Sequence, residues 1–165
     1  MQTKSSLLAP IVVFAYNRAD KLERLLHSLE KNTNTKKMDL YIFVDVPDKK
    51  NRKDAAYNQE VIEFLKKYKE LSQDFQSIQI EVADRHKGLA KSIISGVTKI
   101  INEYGKVIVL EDDLEVSDDF LDYMQRGLSF YRSDRRVWSL GGYTPEIEFP
   151  SSYKKDVYLL PRVES

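Results

Sequence analysis

Residues 107–113 read Val-Ile-Val-Leu-Glu-Asp-Asp, four apolar side chains followed directly by three carboxylates. A short continuous run of β-branched and aliphatic residues is typical of a strand buried on both faces of a parallel sheet. Because this run is the most apolar in the chain, we expect its strand to be central. Adjacent carboxylates repel one another unless a cation or fixed hydrogen-bond donors lie among them. The stretch therefore predicts a buried strand that carries an acidic cluster to one edge of a sheet.

Other parts of the chain have strand patterns as well. Residues 11–16 and 40–44 are continuous apolar runs, which predict two more buried strands. Residues 77–82 alternate polar with apolar side chains, as a half-exposed or edge strand does. Two further strand-like runs occupy residues 137–140 and 157–160.

Segments with apolar residues at helical spacing separate these strands. Asp20 stands three residues before Glu23, a capping-box spacing that predicts the start of the first helix. Ser117 is predicted to cap the fourth helix, and Gly105 is predicted to end the third. The alternation predicts an α/β fold: a single domain over residues 1–165 with a three-layer, mostly parallel, Rossmann-like sheet and helices on both faces.

Composition narrows the class of protein. The 165 residues carry 26 Lys plus Arg and 26 Asp plus Glu, so the formal net charge is zero and we expect no nucleic-acid partner. The absence of cysteine excludes disulfides and thiolate metal sites. The apolar run at residues 7–16 is shorter than the roughly 20 residues of a membrane span and lacks a signal-cleavage pattern. We therefore expect a cytoplasmic protein with no membrane span.

Ligands of open parallel sheets bind beyond the carboxyl ends of the strands, so the residues that follow each strand are the candidates for function. Strand by strand, these residues are Asn17-Arg18, Asp45, Asp84-Arg85 and Glu111-Asp112-Asp113. The acidic triplet has two interpretations. Hard divalent cations such as Mg²⁺ and Mn²⁺ take oxygen ligands and share them with substrate phosphates. A solvated acidic loop is the alternative, but the position of the triplet after the most apolar strand favours the metal and phosphate role.

Single polar residues leave alternatives open. Asp45 could accept hydrogen bonds from a base or a ribose, or close an Asx turn at the strand end. Arg18 and Arg85 could offset the charge of a diphosphate, or lie on the surface as ordinary cations. His86 is expected to be an exposed loop residue, and Trp138 is expected to lie in the core.

Taken together and in order, four segments resemble the GT-A glycosyltransferases. They are residues 10–18 (Pro-Ile-Val-Val-Phe-Ala-Tyr-Asn-Arg), Asp45, residues 85–93 with Gly-Leu-Ala-Lys-Ser-Ile at their end, and residues 107–114 ending Leu-Glu-Asp-Asp-Leu. The nearest likeness is to bacterial sugar transferases related to family 2 and to the eukaryotic β-1,2-N-acetylglucosaminyltransferase I group. The resemblance extends along nearly the whole chain.

The resemblance implies a donor site for a nucleoside-diphosphate sugar, most often a UDP-sugar. The Asp-x-Asp-like element of the family falls on Glu111, Asp112 and Asp113. Asp113 would bind Mn²⁺ or Mg²⁺ directly, and Asp112 would approach the ribose or the sugar.

Six residues from the first three strand ends would complete that donor site. They are, in chain order, Tyr16, Asn17, Arg18, Asp45, Arg85 and Gly88. The first three would line the nucleotide pocket, the fourth would meet the base, and the last two would flank the diphosphate or the sugar. The chain departs from the family in having His86 where relatives often carry Asn, and Asp45-Val46-Pro47 where they commonly carry Asp-Gly.

The activity implied is transfer of a hexose from the donor to a hydroxyl of a saccharide or another acceptor, in bacterial polysaccharide or glycoconjugate synthesis. The family's catalytic base and acceptor site come later in the chain, so we expect the base beyond Ser165 and this chain to be the N-terminal, donor-binding portion. Such a portion would bind donor without turnover. Two alternatives stay open at this stage: a catalytically idle nucleotide-binding domain and a sugar nucleotidyltransferase.

Overall fold

A computed structural model describes residues 8–143, in which strands and helices alternate. The strands are β1 (Ile11–Ala15), β2 (Asp39–Val44), β3 (Ser77–Val82) and β4 (Ile108–Glu111). The helices are α1 (Ala19–Glu30), α2 (Arg52–Leu71), α3 (Leu89–Tyr104) and α4 (Phe120–Phe130), with a 3₁₀ turn at Thr35–Lys37. The strand predicted at residues 157–160 lies outside the described residues. None of the helices within residues 8–143 is long and apolar enough to cross a bilayer.

The four strands form a parallel sheet in the order β3-β2-β1-β4. This confirms the predicted parallel α/β architecture and the edge position of residues 77–82. The prediction that residues 107–110 form a central strand is wrong for the described sheet, because β4 lies at its other edge. Burial alternates along β4, with Ile108 and Leu110 buried and Val109 and Glu111 exposed, so only one face of this strand is covered.

Helices cover both faces of the sheet. On one face, α1, α2 and α4 pack against alternate residues of β1, β2 and β4 and enclose the larger core. On the other face, α3 packs against the intervening residues, among them Val12, Phe14 and Tyr41. β1 and β2 thus contribute to both cores, which explains why these two strands are continuously apolar.

Close packing of α3 fixes two aromatic rings at the carboxyl end of the sheet. The rings of Phe14 and Phe43 stack with their centroids 5.5 Å apart. A Cβ atom added at Gly96 of α3 would lie 2.8 Å from the Phe14 ring, which is shorter than any ordinary contact. The missing side chain therefore allows the helix to press these rings against the strand ends.

Two predicted helix caps differ from the structure. Arg18 is the residue that caps α1, with no side-chain cap hydrogen bond, so the capping box predicted at Asp20 and Glu23 is wrong. Asp20 instead lies within the first turn, where a negative charge favours the helix dipole. Ser117 does not cap α4 either, because Asp119 occupies the cap position, and the Ser117 hydroxyl donates to its carboxylate. Gly105 ends α3 as predicted, in a left-handed conformation.

Residues 137–140 do not form the predicted strand. Leu140 packs against α4, where a Cβ atom on Gly127 would lie 2.6 Å from it. Trp138 is 95% exposed, so the expectation that it lies in the core is also wrong. Within the described residues, this run does not pair with any strand of the sheet.

Candidate functional site

A cavity of about 490 Å³ opens at the carboxyl ends of β1, β2 and β4, beside the first turn of α3. Its wall consists of Phe14, Ala15, Tyr16, Asn17, Arg18, Phe43, Asp45, His86, Leu89, Ser92, Glu111 and Asp112. The register explains the grouping, since Phe14 lies between Phe43 on one neighbouring strand and Glu111 on the other. This is the edge at which open parallel sheets bind their ligands.

The acidic corner of the cavity is organised around Arg18. Its Nη2 atom donates to Oδ1 of Asp112, and its Nη1 atom donates to Oδ2 of Asp113 at 3.0 Å. The second oxygen of Asp112 accepts from the backbone N–H of Tyr16 at 3.3 Å. The side chain of Asp112 is 3% exposed, whereas that of Asp113 is 45% exposed. Fixed donors thus lie among the adjacent carboxylates, as their mutual repulsion requires.

Burial raises the pKa of Asp112 above its ordinary value, and the neighbouring Arg18 acts in the opposite direction. The guanidinium is therefore the charge that makes a carboxylate tolerable at this buried position. A ligand that draws Arg18 away would leave Asp112 without its charged donor.

Asp45 binds the loop that leads into α3. Its Oδ1 accepts from the backbone N–H groups of Val46 at 3.0 Å and Lys87 at 2.9 Å, and its Oδ2 accepts from Gly88 at 2.8 Å. Nδ1 of His86 lies 2.7 Å from the Val46 carbonyl oxygen and 3.3 Å from Oδ2 of Asp45. The carboxylate thus closes a turn at the strand end and fixes the start of α3. Its contact with a base stays a prediction.

Tyr16 joins the cavity to α2. Its hydroxyl donates to the Asp54 carboxylate at 3.1 Å, and Asn58 of the same helix donates to its carbonyl oxygen at 2.5 Å. Burial and the Asp54 hydrogen bond raise the pKa of Tyr16 to about 12. The phenol is therefore neutral at physiological pH and acts as a donor to Asp54.

The structure brings most of the predicted site residues together. Those on the cavity wall are Tyr16, Asn17, Arg18, Asp45, Glu111 and Asp112. Asp113 adjoins the wall through Arg18, and Gly88 adjoins it through its hydrogen bond to Asp45. Arg85 is exposed and lies outside the wall. Glu146 and Glu148 lie outside the described residues.

Sequence reasoning missed part of the wall. The additional residues are Phe14, Ala15, Phe43, His86, Leu89 and Ser92. The first three sit at the carboxyl ends of predicted strands, so a count of strand positions could have found them. His86 is exposed in its loop, as expected, and it also lines the cavity beside the turn that Asp45 closes.

A metal ion at this site would have few side-chain ligands. Within residues 8–143, no group of three or more His, Asp or Glu side chains is placed to hold a cation. Mg²⁺ in particular is usually bound by one or two carboxylates together with waters and substrate phosphates. Asp113, which is half exposed and joined to the cavity wall through Arg18, fits that shared kind of coordination.

The parallel sheet with helices on both faces and a cavity at its carboxyl edge defines an α/β protein that holds its ligand at the strand ends. The family model described as "GNT-I family" matches residues 1–146. The chain therefore belongs to the GNT-I family, which confirms the resemblance found in the sequence.

Individual proteins agree with this assignment. The chain is 26% identical to an Arabidopsis thaliana alpha-1,3-mannosyl-glycoprotein 2-beta-N-acetylglucosaminyltransferase, over 92% of this chain and 36% of the relative. Its fold is similar to that of S. aureus TarS, with a TM-score of 0.56, 16% identity and coverage of 77% of this chain and 20% of TarS. TarS 1–349 in complex with UDP gives a TM-score of 0.54 at 16% identity, over 77% of this chain and 33% of that structure. The chain thus spans about a third of its curated relative, and the structural likeness establishes the fold.

Proposed function

We propose that this chain supplies the donor site of a glycosyltransferase, which transfers a sugar from a nucleoside diphosphate to a hydroxyl group. Membership of the GNT-I family supports the reaction class. The observation that carries the proposal is the cavity at the carboxyl edge, where the polar ends of β1, β2 and β4 meet. The UDP present in a structurally similar protein supports uridine as the nucleoside.

The two sides of the cavity suit different parts of such a donor. Asp45, His86 and Tyr16 supply hydrogen-bonding groups on one side of the cavity. The stacked rings of Phe14 and Phe43 also line it, and this combination suits a base and its ribose. Around Arg18 there is a guanidinium that can form charged hydrogen bonds with phosphate oxygens. In this arrangement the nucleoside lies between β1 and β2, and the diphosphate lies towards β4.

The charge of the wall supports a divalent cation as a cofactor. Three carboxylates line the cavity, those of Asp45, Glu111 and Asp112, against the single guanidinium of Arg18. A diphosphate would meet a net negative wall unless a cation entered with it. We propose that Asp113 holds Mn²⁺ or Mg²⁺ together with the donor phosphates. When bound, the cation would stabilise negative charge on the departing diphosphate.

The acceptor and the catalytic base are predicted from the sequence alone. We propose a saccharide hydroxyl as acceptor, and we assign no residue between 8 and 143 as the base. The chain's own residues in this scheme bind and orient the donor, while deprotonation of the acceptor needs a further group. The bacterial polysaccharide context and the cytoplasmic location stay predictions.

Calorimetry of UDP binding tests this function. We expect UDP to bind the full chain at least tenfold more tightly with Mn²⁺ than with a chelator, and Asp113→Asn to remove most of that gain. Glu115→Gln is the matched control, because Glu115 is an exposed carboxylate two residues away. Equal affinity with and without Mn²⁺ would refute the metal role alone. No UDP binding under either condition would refute the donor site.

A further inference from the structure

Asn58 is a buried amide that contacts the ends of two strands. It lies in α2, is 4% exposed and does not line the cavity. Its Nδ2 atom donates to the carbonyl oxygens of Tyr16 at 2.5 Å and Asp45 at 2.7 Å. Tyr16 directly follows β1, Asp45 directly follows β2, and both line the cavity. One side chain therefore connects the two adjacent strand ends from behind the site.

Asn58 is a polar side chain on the buried face of α2, where a polar group without hydrogen-bond partners would destabilise the fold. Val61 and Leu65, three and seven residues further along α2, are the other fully buried residues of the same helix face. Burying an amide without partners is unfavourable, and so is burying a carbonyl without a donor. Asn58 satisfies both requirements at once, since its amide group has two hydrogens to donate. A leucine at this position would continue the apolar stripe but leave both carbonyl oxygens without this donor.

Tyr16 is consequently held at three separate atoms. Its N–H donates to Asp112, its carbonyl oxygen accepts from Asn58, and its hydroxyl donates to Asp54. The contacts come from the loop after β4 and from α2, two elements on different sides of this residue. Loss of the Asn58 contact would leave the backbone of Tyr16 attached on the β4 side only. It would also remove one of the hydrogen bonds that hold Asp45, the residue that fixes the loop before α3.

We propose that Asn58 is a positioning residue of the donor site, which holds Tyr16 and Asp45 at the separation that the nucleotide requires. It acts through these two residues and does not touch the ligand. The identity of the ligand in this inference rests on the proposed function. The positioning itself rests on the two hydrogen bonds that Asn58 donates.

The test compares Asn58→Ala with Asn32→Ala in the full chain. Asn32 is a matched control: it is 5% exposed, and its side chain likewise bonds two carbonyl oxygens, those of Ser28 and Ser117. It follows the end of α1, a helix about 18 Å long whose other end adjoins the cavity. Both substitutions should lower the midpoint of thermal unfolding. Only Asn58→Ala should weaken UDP binding, by about tenfold per folded molecule.

A second measurement does not depend on any ligand. The amide hydrogen of Tyr16 should exchange with solvent about tenfold faster in Asn58→Ala than in the wild type, and at the wild-type rate in Asn32→Ala. If Asn58→Ala does not fold, Asn58→Ser serves instead. The serine side chain is shorter than that of asparagine, and its hydroxyl has one hydrogen, so it cannot donate to both carbonyl oxygens.

The outcomes separate this inference from the proposed function. Unchanged exchange at Tyr16 overturns the positioning role whether or not UDP is the ligand. Equal loss of UDP affinity in the Asn58 and Asn32 variants overturns it too, because a general loss of stability would then explain both. Faster exchange at Tyr16 with no UDP binding by the wild type supports the positioning role and rejects the proposed donor.

Discussion

Arg18 shows how one residue sets the electrostatics of the site. It links two carboxylates that are adjacent in the chain but unequal in environment, Asp112 being buried and Asp113 half exposed. An isolated buried carboxylate is expensive, so the guanidinium stabilises the strand end even without a ligand. A bound diphosphate and cation would offer the same groups new partners. Arg18 is therefore both a structural counterion and a candidate phosphate contact.

Replacement of Arg18 tests the structural part of this account. Arg18→Gln should lower the free energy of unfolding by about 1–3 kcal/mol, because Asp112 loses its charged donor. Urea denaturation measures the change. Arg126→Gln is the control: Arg126 pairs with Asp122 on an exposed helix face, where such a pair contributes only about 0.2–0.5 kcal/mol.

A second substitution identifies the source of that loss. Adding Asp112→Asn to Arg18→Gln should restore most of the stability, because no unpaired charge then remains buried. Losses that simply add in the double variant would mean that the two side chains act independently, contrary to the geometry.

At the scale of elements, the start of α3 determines how the loop from β3 reaches the site. Gly88 precedes the helix with φ 78° and ψ 156°, a conformation that is open essentially to glycine alone. Its N–H donates to Asp45, so the glycine and the carboxylate together fix where the helix begins. The first turn of α3 then supplies Leu89 and Ser92 to the cavity wall.

Gly88→Ala tests this element, with Gly105→Ala as its match at the other end of the same helix. Neither added methyl group would meet an atom within 4 Å, so any effect comes from backbone conformation. Gly105 has φ 75° and ψ −6°, the left-handed region that non-glycine residues enter at about 1–2 kcal/mol.

Both variants should therefore be less stable in urea denaturation. Gly88→Ala should also weaken UDP binding several-fold, because its strain falls on the loop that Asp45 holds. Comparable weakening in Gly105→Ala would instead assign the effect to α3 as a whole.

At the scale of the whole molecule, the cavity joins segments that are far apart in sequence. Asp112 is 94 positions from Arg18, and Asn58 is 42 positions from Tyr16. Unfolding separates these groups, so a ligand that needs all of them should bind only the folded chain. Such a ligand raises the free energy of unfolding through mass action alone.

UDP with Mn²⁺, at about 100 times the dissociation constant, should stabilise the chain by about 2.7 kcal/mol. For a chain of this size, that corresponds to a rise of roughly 5–11 °C in the midpoint of thermal unfolding. Inorganic diphosphate with Mn²⁺ is the comparison, since it lacks the nucleoside that the Asp45 side of the cavity is proposed to hold. An equal rise with both ligands would contradict recognition of the nucleoside.

The sequence by itself determined the four described strands and the edge of the sheet at which the polar residues collect. All four described strands lie within a residue of the predicted runs, because apolar runs and alternation follow directly from backbone geometry. The motifs at residues 10–18 and 107–114 also gave the family, which the comparison confirms. Six of the predicted site residues reached one cavity because parallel strands all end at the same edge.

Only the tertiary structure decided how those residues are partnered. The order of the strands, the exposure of Trp138, the pairing of Arg18 with Asp112 and the reach of Asn58 all depend on contacts between distant segments. An asparagine three residues before Val61 shows in the sequence only that an amide lies on an apolar helix stripe. Which carbonyl groups it meets is set by the packing of α2 across two strand ends, and that packing is a property of the whole core.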